Sequence, residues 1–338
     1  MARSGTPSPA PTPSAAPAGR RSARLRLRAA WMYYVEDMTQ TAIAEALGIG
    51  RVTVVRMLAD ARELGEVKIS LSREIAQLRH SEIALEQRFG LREAVVAPMV
   101  SRADADPLAV IGAATGEYLS GFMAPDMKIG VGWGRTLLHS LNFIDDKPLA
   151  NLSIVSLLGG VSAVRKFNPA EFAWQFARLL NASCYLISAP ALVDSVETKR
   201  ALIERCGIGP AFHMADSLDA ALISVGSMGT EANSSLFGHF SDADRQSLLA
   251  AGAVGNVLYN FYDASGRLVD HPLNQRVMSA PIEALRRTPH RILASGGPEK
   301  IEALLGALSL LRPTVLITDE VTAATLLEQS ANMPNFPP

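Results

Sequence analysis

Residues 129–136 read Ile-Gly-Val-Gly-Trp-Gly-Arg-Thr. An apolar run that ends in Gly130, Gly132 and Gly134 and passes into a helix at Thr136 presents backbone N–H groups to an anion or a hydroxyl. Arg135 adds a guanidinium that can pair with phosphate. A dinucleotide fingerprint would also need an acid about 20 residues on, at the end of the next strand. That strand ends instead in Leu157-Leu158-Gly159-Gly160, and no Gly-Lys-Ser/Thr occurs anywhere. Comparable polar or glycine loops follow other apolar runs: Gly226-Ser227, Ala251–Gly255, Asp263, and Gly296-Gly297 with Lys300. Any one glycine is accounted for by a turn, whereas several at one sheet edge favour a shared site for a polyhydroxylated ligand. The candidate ligand-contacting residues are Gly132, Trp133, Gly134, Arg135, Thr136, Gly159, Gly160, Gly226, Asp263 and Lys300. Arg135, Lys166 and Lys300 lean towards a phosphorylated ligand.

Catalytic constellations are poor. The six histidines, His80, His139, His213, His239, His271 and His290, show no metal spacing and no triad. His139 follows the glycine loop, but a place on a helix surface accounts for it. Asp319-Glu320 begins the last helix, where acids suit the N-terminus. Lys300 fits a phosphate contact better than a Schiff base. Cys184 and Cys206 are the only cysteines; two thiols make neither a disulfide framework nor a Cys-only zinc site, and both are expected in the core. No catalytic residue, metal or cofactor is expected.

The elements that must hold these loops alternate. Strands are expected at Ala94–Ala97, Lys128–Gly132, Ser153–Leu158, Ser183–Ser188, Ala220–Val225, Asn256–Phe261, Arg291–Ala294 and Thr314–Ile317. Helices are expected over 107–123, 136–143, 169–181, 194–205, 241–251, 298–310 and 320–329. Buried-type strands alternating with helices predict an α/β domain with a mainly parallel sheet covered on both faces. Such sheets bind ligands at the carboxyl ends of their strands.

The front of the chain differs. Residues 1–80 hold 12 Lys/Arg against 7 Asp/Glu, although the whole chain of 338 residues has a net charge of only −1. A basic front on an acidic body points to a module that meets a polyanion. Residues 1–22, rich in Pro, Ser and Ala, read as a disordered tail. Helical spacing then runs over Ala23–Glu36, through Leu27, Ala30, Trp31 and Tyr34, over Thr39–Leu47, and over Arg51–Glu63; Glu66–Leu71 alternates as a strand does. The stretch from Gln40 to Leu58 has the spacing of a DNA-binding helix-turn-helix: Ala44 small enough for close packing, Gly48 in the turn, and Ile43, Leu47, Val54 and Leu58 as the apolar contacts. Arg51, Thr53 and Arg56 would face base edges, and Thr39 and Gln40 would face phosphates. The bland alternative is an αα-corner in an ordinary helical domain. Gly50 is a weak N-cap. The resulting division is 1–22 tail, 23–72 helix-turn-helix domain, 73–90 linker or dimerisation helix, 91–330 α/β effector and oligomerisation domain, and 331–338 tail. No run is long enough for a membrane span and no apolar leader is evident, so the expected setting is the cytoplasm.

The sequence resembles the SorC-type sugar-binding transcriptional regulators of the DeoR-like grouping over about residues 23–329. The resemblance rests on Trp31-Met-Tyr-Tyr, Thr39-Gln40, Ile43-Ala44, Leu47-Gly48-Ile49 and Val54-Val-Arg56-Met-Leu58 at the front. In the body it rests on Arg88–Leu91, Gly132–Leu137, Leu158–Gly160, Ala189–Ser195, Ala251–Gly255, Phe261-Tyr262-Asp263 with Gly266, Gly296-Gly297 with Lys300, and Thr318–Glu320 with Thr322-Ala323. It implies a winged-helix-like DNA-binding domain, an effector domain similar to sugar-phosphate isomerases and deaminases, and tetramers built from dimers. It also implies ligand contacts at Gly132–Thr136, Gly159, Gly160 and Lys300. Gly50 departs from the serine usual in the family. The expected function is a sequence-specific regulator of a carbohydrate or polyol catabolic operon, controlled by a sugar, polyol or sugar phosphate. Its partners would be operator double-stranded DNA, that effector and further copies of itself, with no membrane. The alternative is a sugar-phosphate isomerase-like enzyme, since fold alone does not fix function.

Overall fold

The computed structural model describes residues 18–64, 66–67, 73–99, 106–161, 168–229 and 240–331, without the side chains of 18–21 and 73–75. The chain divides into two compact units, residues 1–72 and 73–338. Most of the expected N-terminal tail, most of the expected strand at 66–71, Lys166, and residues 332–338 lie outside the described residues.

The first unit contains α1 (Ala18–Tyr34), α2 (Gln40–Leu47) and α3 (Arg51–Glu63). Helix α1 begins at Ala18 rather than Ala23. Its buried residues are Ala29, Ala30 and Met32, which pack with Ile43, Ala44, Val54, Leu58 and Ala61. Four alanines in that set let the backbones approach, while the expected core residues Leu27 and Trp31 are exposed. Thr39 caps α2, its Oγ1 accepting from the Ala42 N–H at 3.2 Å. Gly48 ends α2 at φ 64°, a left-handed conformation that costs glycine least. Arg26 and Glu66 form a bidentate pair, Nε–Oε2 2.7 Å and Nη2–Oε1 2.5 Å. The hydrogen bonds from Arg26 hold the Glu66 carboxyl below its ordinary range.

The second unit runs α4 (Arg73–Phe89), β1 (Glu93–Ala97), α5 (Pro107–Phe122), β2 (Lys128–Val131), α6 (Arg135–Ser140), β3 (Ser153–Ser156), α7 (Pro169–Leu179), β4 (Ser183–Tyr185), α8 (Val196–Arg205), α9 (Gly209–Met214), β5 (Ala220–Ile223) and β6 (Gly226–Ser227). It continues with α10 (Asp242–Ala250), β7 (Gly255–Val257), β8 (Asn260–Tyr262), α11 (Pro272–Arg276), α12 (Ile282–Arg287), β9 (His290–Ala294), α13 (Ile301–Leu311), β10 (Val315–Asp319) and α14 (Glu320–Ser330). Seven strands pair in the order β1-β10-β9-β5-β2-β3-β4, all of them parallel. Chain order moves outward one way through β2, β3 and β4, then the other way through β5, β9 and β10. The sheet therefore has its topological switch point between β2 and β5, the usual place for a ligand in such folds. Two large apolar clusters bury the sheet.

Four features depart from the expectations. The run Asn256–Phe261 is a tight antiparallel hairpin of β7 and β8, not one strand. Its tip residues Leu258 and Tyr259 both have positive φ, 52° and 62°, the conformations a two-residue hairpin requires but without the glycine or asparagine that usually signals it. His139 is not a free surface residue: its ring fills the space beside Gly112, where an added Cβ would lie 2.7 Å from His139 Cδ2. Cys184 is half-buried, packed on the edge of an apolar cluster, and Cys206 is exposed, so neither is fully buried and only Cys184 touches the core. Helix α4 is joined to the sheet, its Glu82 and Glu86 carboxylates accepting from the backbone N–H groups of Val96 and Ala94, each at 3.2 Å. Leu85 and Phe89 of the same helix are buried.

Candidate functional site

At the switch point β2 and β5 are pinned and then part. The Gly132 N–H donates to the Leu222 carbonyl at 2.8 Å. A Cβ on Gly132 would lie 3.2 Å from that oxygen and from Leu258 Cδ2. Gly134, at φ 143°, passes Ser224 and starts α6. Arg135 is exposed and Thr136 buried. Trp133 is only 9 % exposed, and its ring meets Tyr259 edge to face at 5.7 Å. It packs the wall of the site.

The loop after β9 is fixed from β10. Asp319, fully buried, caps α14 with Oδ1 accepting from the Val321 and Thr322 N–H groups at 3.0 and 2.9 Å. Its Oδ2 accepts from Thr322 Oγ1 at 2.5 Å. Thr322 Oγ1 in turn accepts from the Gly297 N–H at 2.8 Å. Gly296 sits where a Cβ would be 2.4 Å from Asp319 Oδ2, and Gly297 has φ 108°. The acid therefore works as the expected helix cap and also anchors the loop that carries Lys300. Lys300 is half-buried. Burial pulls its amine below the ordinary lysine value; Glu299 and Asp106 oppose that, and the nearby cation of Arg135 reinforces it. The second unit thus brings Arg135 and Lys300 within electrostatic reach beside the glycine loop.

Other expected residues have local duties. The Gly159 and Gly160 N–H groups donate to the carbonyls of Met278 and Ala189, both at 2.8 Å, so neither amide is left for a ligand. A Cβ on Gly159 would meet the Ala189 oxygen at 2.6 Å. Gly160 lines an apolar groove with Val161, Leu186, Ile187 and Pro190. Gly226 pairs with Asn256 in the small sheet. The Asp263 carboxylate is committed to its own turn, accepting from the Ser265 and Arg267 N–H groups at 2.9 and 3.0 Å and from the Arg267 guanidinium. Sequence reasoning passed over Ser295 and, as a site residue, Thr318. Both hydroxyls are buried without a partner at the carboxyl ends of β9 and β10. An unpaired buried hydroxyl costs roughly 1–3 kcal/mol, and no motif in the sequence signals one.

In the first unit Thr39, Gln40 and Arg51 line one surface depression with Tyr33, Tyr34 and Asp37. Arg51 and Arg56 are exposed, while Thr53 is half-buried. Neither α2 nor α3 has an acid in its first turn. Among the described residues no three His, Cys, Asp or Glu are grouped to hold a metal ion, and no helix is long and apolar enough to cross a membrane.

A small helical unit with exposed arginines is followed by a doubly wound parallel sheet that carries Arg135 and Lys300, within electrostatic reach of each other, in the loops after β2 and β9, the edge where such sheets bind ligands. Residues 73–328 match the family model described as "Putative sugar-binding domain". The chain belongs to that sugar-binding domain family. It is 29 % identical over 308 residues to the sorbitol operon regulator of Klebsiella pneumoniae, covering 90 % of this chain and 98 % of that protein. It is 31 % identical over 312 residues to the deoxyribonucleoside regulator of Bacillus subtilis (strain 168), covering 91 % and 98 %. The crystal structure of the full-length sorbitol operon regulator SorC from Klebsiella pneumoniae superposes with a TM-score of 0.71 at 29 % identity, over 90 % of this chain and 98 % of the other. The resemblance to SorC-type regulators therefore stands.

Proposed function

We propose that this chain is a DNA-binding transcriptional regulator of a carbohydrate or polyol operon, its operator affinity set by a sugar, polyol or sugar phosphate bound at the β2–β5 switch point. The observation that carries the reading is that proteins named as regulators match the chain over about nine-tenths of its length, the helical unit included. An isomerase would need no such helical unit, and the relatives are regulators by name.

In this reading α2 and α3 form a helix-turn-helix of a winged-helix-like domain. Arg51, Thr53 and Arg56 meet base edges, and Thr39 and Gln40 meet the phosphate backbone. The effector lies against Gly132–Thr136, with Arg135 and Lys300 on its anionic or hydroxyl groups. Gly159, Gly160, Gly226 and Asp263 shape the surrounding loops through their backbone contacts. In this reading the second unit is a sugar-phosphate isomerase-like scaffold used for effector binding. The assembly is a tetramer of paired dimers in the cytoplasm. Effector changes operator affinity only to the extent that it binds the DNA-competent and incompetent states differently.

The test is fluorescence anisotropy of the full chain on its own upstream DNA against random DNA at stated salt, repeated with sugars, polyols and sugar phosphates. One compound altering specific binding supports the reading; binding no tighter than to random DNA, with every compound inert, sinks it. If the active compound is a phosphate, its affinity falls as pH rises through the lowered Lys300 value, below the ordinary 10.5, because the ammonium form is the one that binds. Lys300→Gln weakens that compound and flattens the slope. A neutral polyol gives no such slope in either protein.

A further inference from the structure

We infer that Val52 is a base-reading residue of α3 whose methyl groups pack on the C5-methyl of a thymine in the operator. The inference rests on the DNA-binding reading of the first unit and adds a specificity element to it. Val52 is 84 % exposed, more than any other large hydrophobic side chain of the described residues, and Val55 is 45 % exposed. Single exposed valines are ordinary; this one has a particular setting. With 3.6 residues per turn, Val52 stands opposite the buried Val54, Leu58 and Ala61 and one turn before Arg56 on the same face. Thr53 is turned partly inward, so Val52 occupies the centre of the face where a base contact falls.

The helix gains nothing from this residue as a helix. Four of the five residues Arg51–Val55 are β-branched, which lowers helix propensity. Gly50 gives no side-chain cap. A first turn that is locally poor and has only Val54 buried is where a functional constraint overrides local stability. Charge fixes the occupant. Arg51 and Arg56 flank Val52, whereas the acids Asp60 and Glu63 lie in the later turns. The first half of α3 therefore suits a polyanion and the second half does not. Recognition helices meet base edges with their N-terminal residues, and an apolar side chain at a base edge selects the thymine methyl.

The experiment uses the full chain and a duplex it selects from a random-sequence pool. Each thymine is replaced in turn by deoxyuridine, which removes only the methyl. The expected result is about a fourfold loss at one or two positions, the worth of one buried methyl, with that loss absent in Val52→Ala and every other position unchanged between the two proteins. Val52→Ala keeps its fold, since alanine is the better helix former and no packing is lost. Equal deoxyuridine profiles for the two proteins overturn the inference. So does a Val52→Ala protein that changes its self-association and not its DNA profile, which would make the face a contact between copies. Failure to select any duplex sinks the DNA-binding reading itself, a result distinct from both.

Discussion

Asp319→Ala costs the second unit roughly 3 kcal/mol, read as a lower denaturant midpoint at unchanged slope. The substitution leaves the N–H groups of Val321 and Thr322 and the Thr322 hydroxyl without their acceptor. The cap alone is worth about 1 kcal/mol, and each unpaired buried group adds its own desolvation. Thr322 also loses the partner that orients its oxygen towards the Gly297 N–H, so the loop carrying Lys300 loosens and effector affinity falls with stability. Gly296→Ala is destabilising for the converse reason: its Cβ would stand 2.4 Å from Asp319 Oδ2 and 2.5 Å from Ile111 Cδ1. Overpacking of this kind costs typically 1–3 kcal/mol. The two changes are not additive. In the Asp319→Ala background the alanine at 296 costs less, because the carboxylate oxygen it strikes has gone. Strict additivity in the double-mutant cycle would show that the carboxylate does not fix this loop.

Arg56→Ala weakens operator binding by about five- to 150-fold, the worth of a bidentate base contact at roughly 1–3 kcal/mol. Arg56 is exposed and makes no ion pair among the described residues, so its removal leaves no buried charge behind. Effector binding to the second unit is unchanged, because the substituted residue lies in the first compact unit. Salt distinguishes two ways the loss can arise. A base reader lowers affinity at every salt concentration with the slope of log K on log salt preserved; a phosphate contact reduces that slope by about one. A parallel loss of effector binding would make Arg56 a structural residue.

How much of this was legible depended on how local the cause is. Helix α3 was readable to its ends, Arg51–Glu63, because Val54, Leu58 and Ala61 repeat at helical spacing and its capping positions are adjacent in sequence. The parallel strands were readable as short apolar runs. The hairpin tip at Leu258-Tyr259 was not, since neither residue type announces a positive φ. Gly159 and Gly160 read as ligand-facing amides, but their acceptors, Met278 and Ala189, come from chain far downstream that only the fold brings close. Asp263 was read as a site acid because the Ser265 and Arg267 N–H groups that occupy it cannot be seen in a one-letter pattern. Helices α9, α11 and α12, of 6, 5 and 6 residues, were not expected because they are too short to establish a period. The exposure of Val52 was not legible, because a valine in a one-letter pattern reads as core and only the direction it faces on α3 puts it in solvent.

The carboxylates of α4 have a consequence for how copies of this protein can associate. A bare outer strand is a template on which another chain can zip up. Four residues of helix rise about 6 Å and two residues of strand about 6.6 Å, so Glu82 and Glu86 fall in step with Val96 and Ala94. Just past the end of β1, at the next position in this register, stands Pro98, which has no N–H to give. The helix thus does the work of one more strand while offering nothing to extend, and the β1 side is closed to sheet-to-sheet polymerisation. Growth of the sheet is possible only beyond β4, at the opposite end, where a strand of 3 residues gives little to build on. Any association between copies is thereby steered away from the β1 edge, towards helix and loop surfaces or the short β4 end.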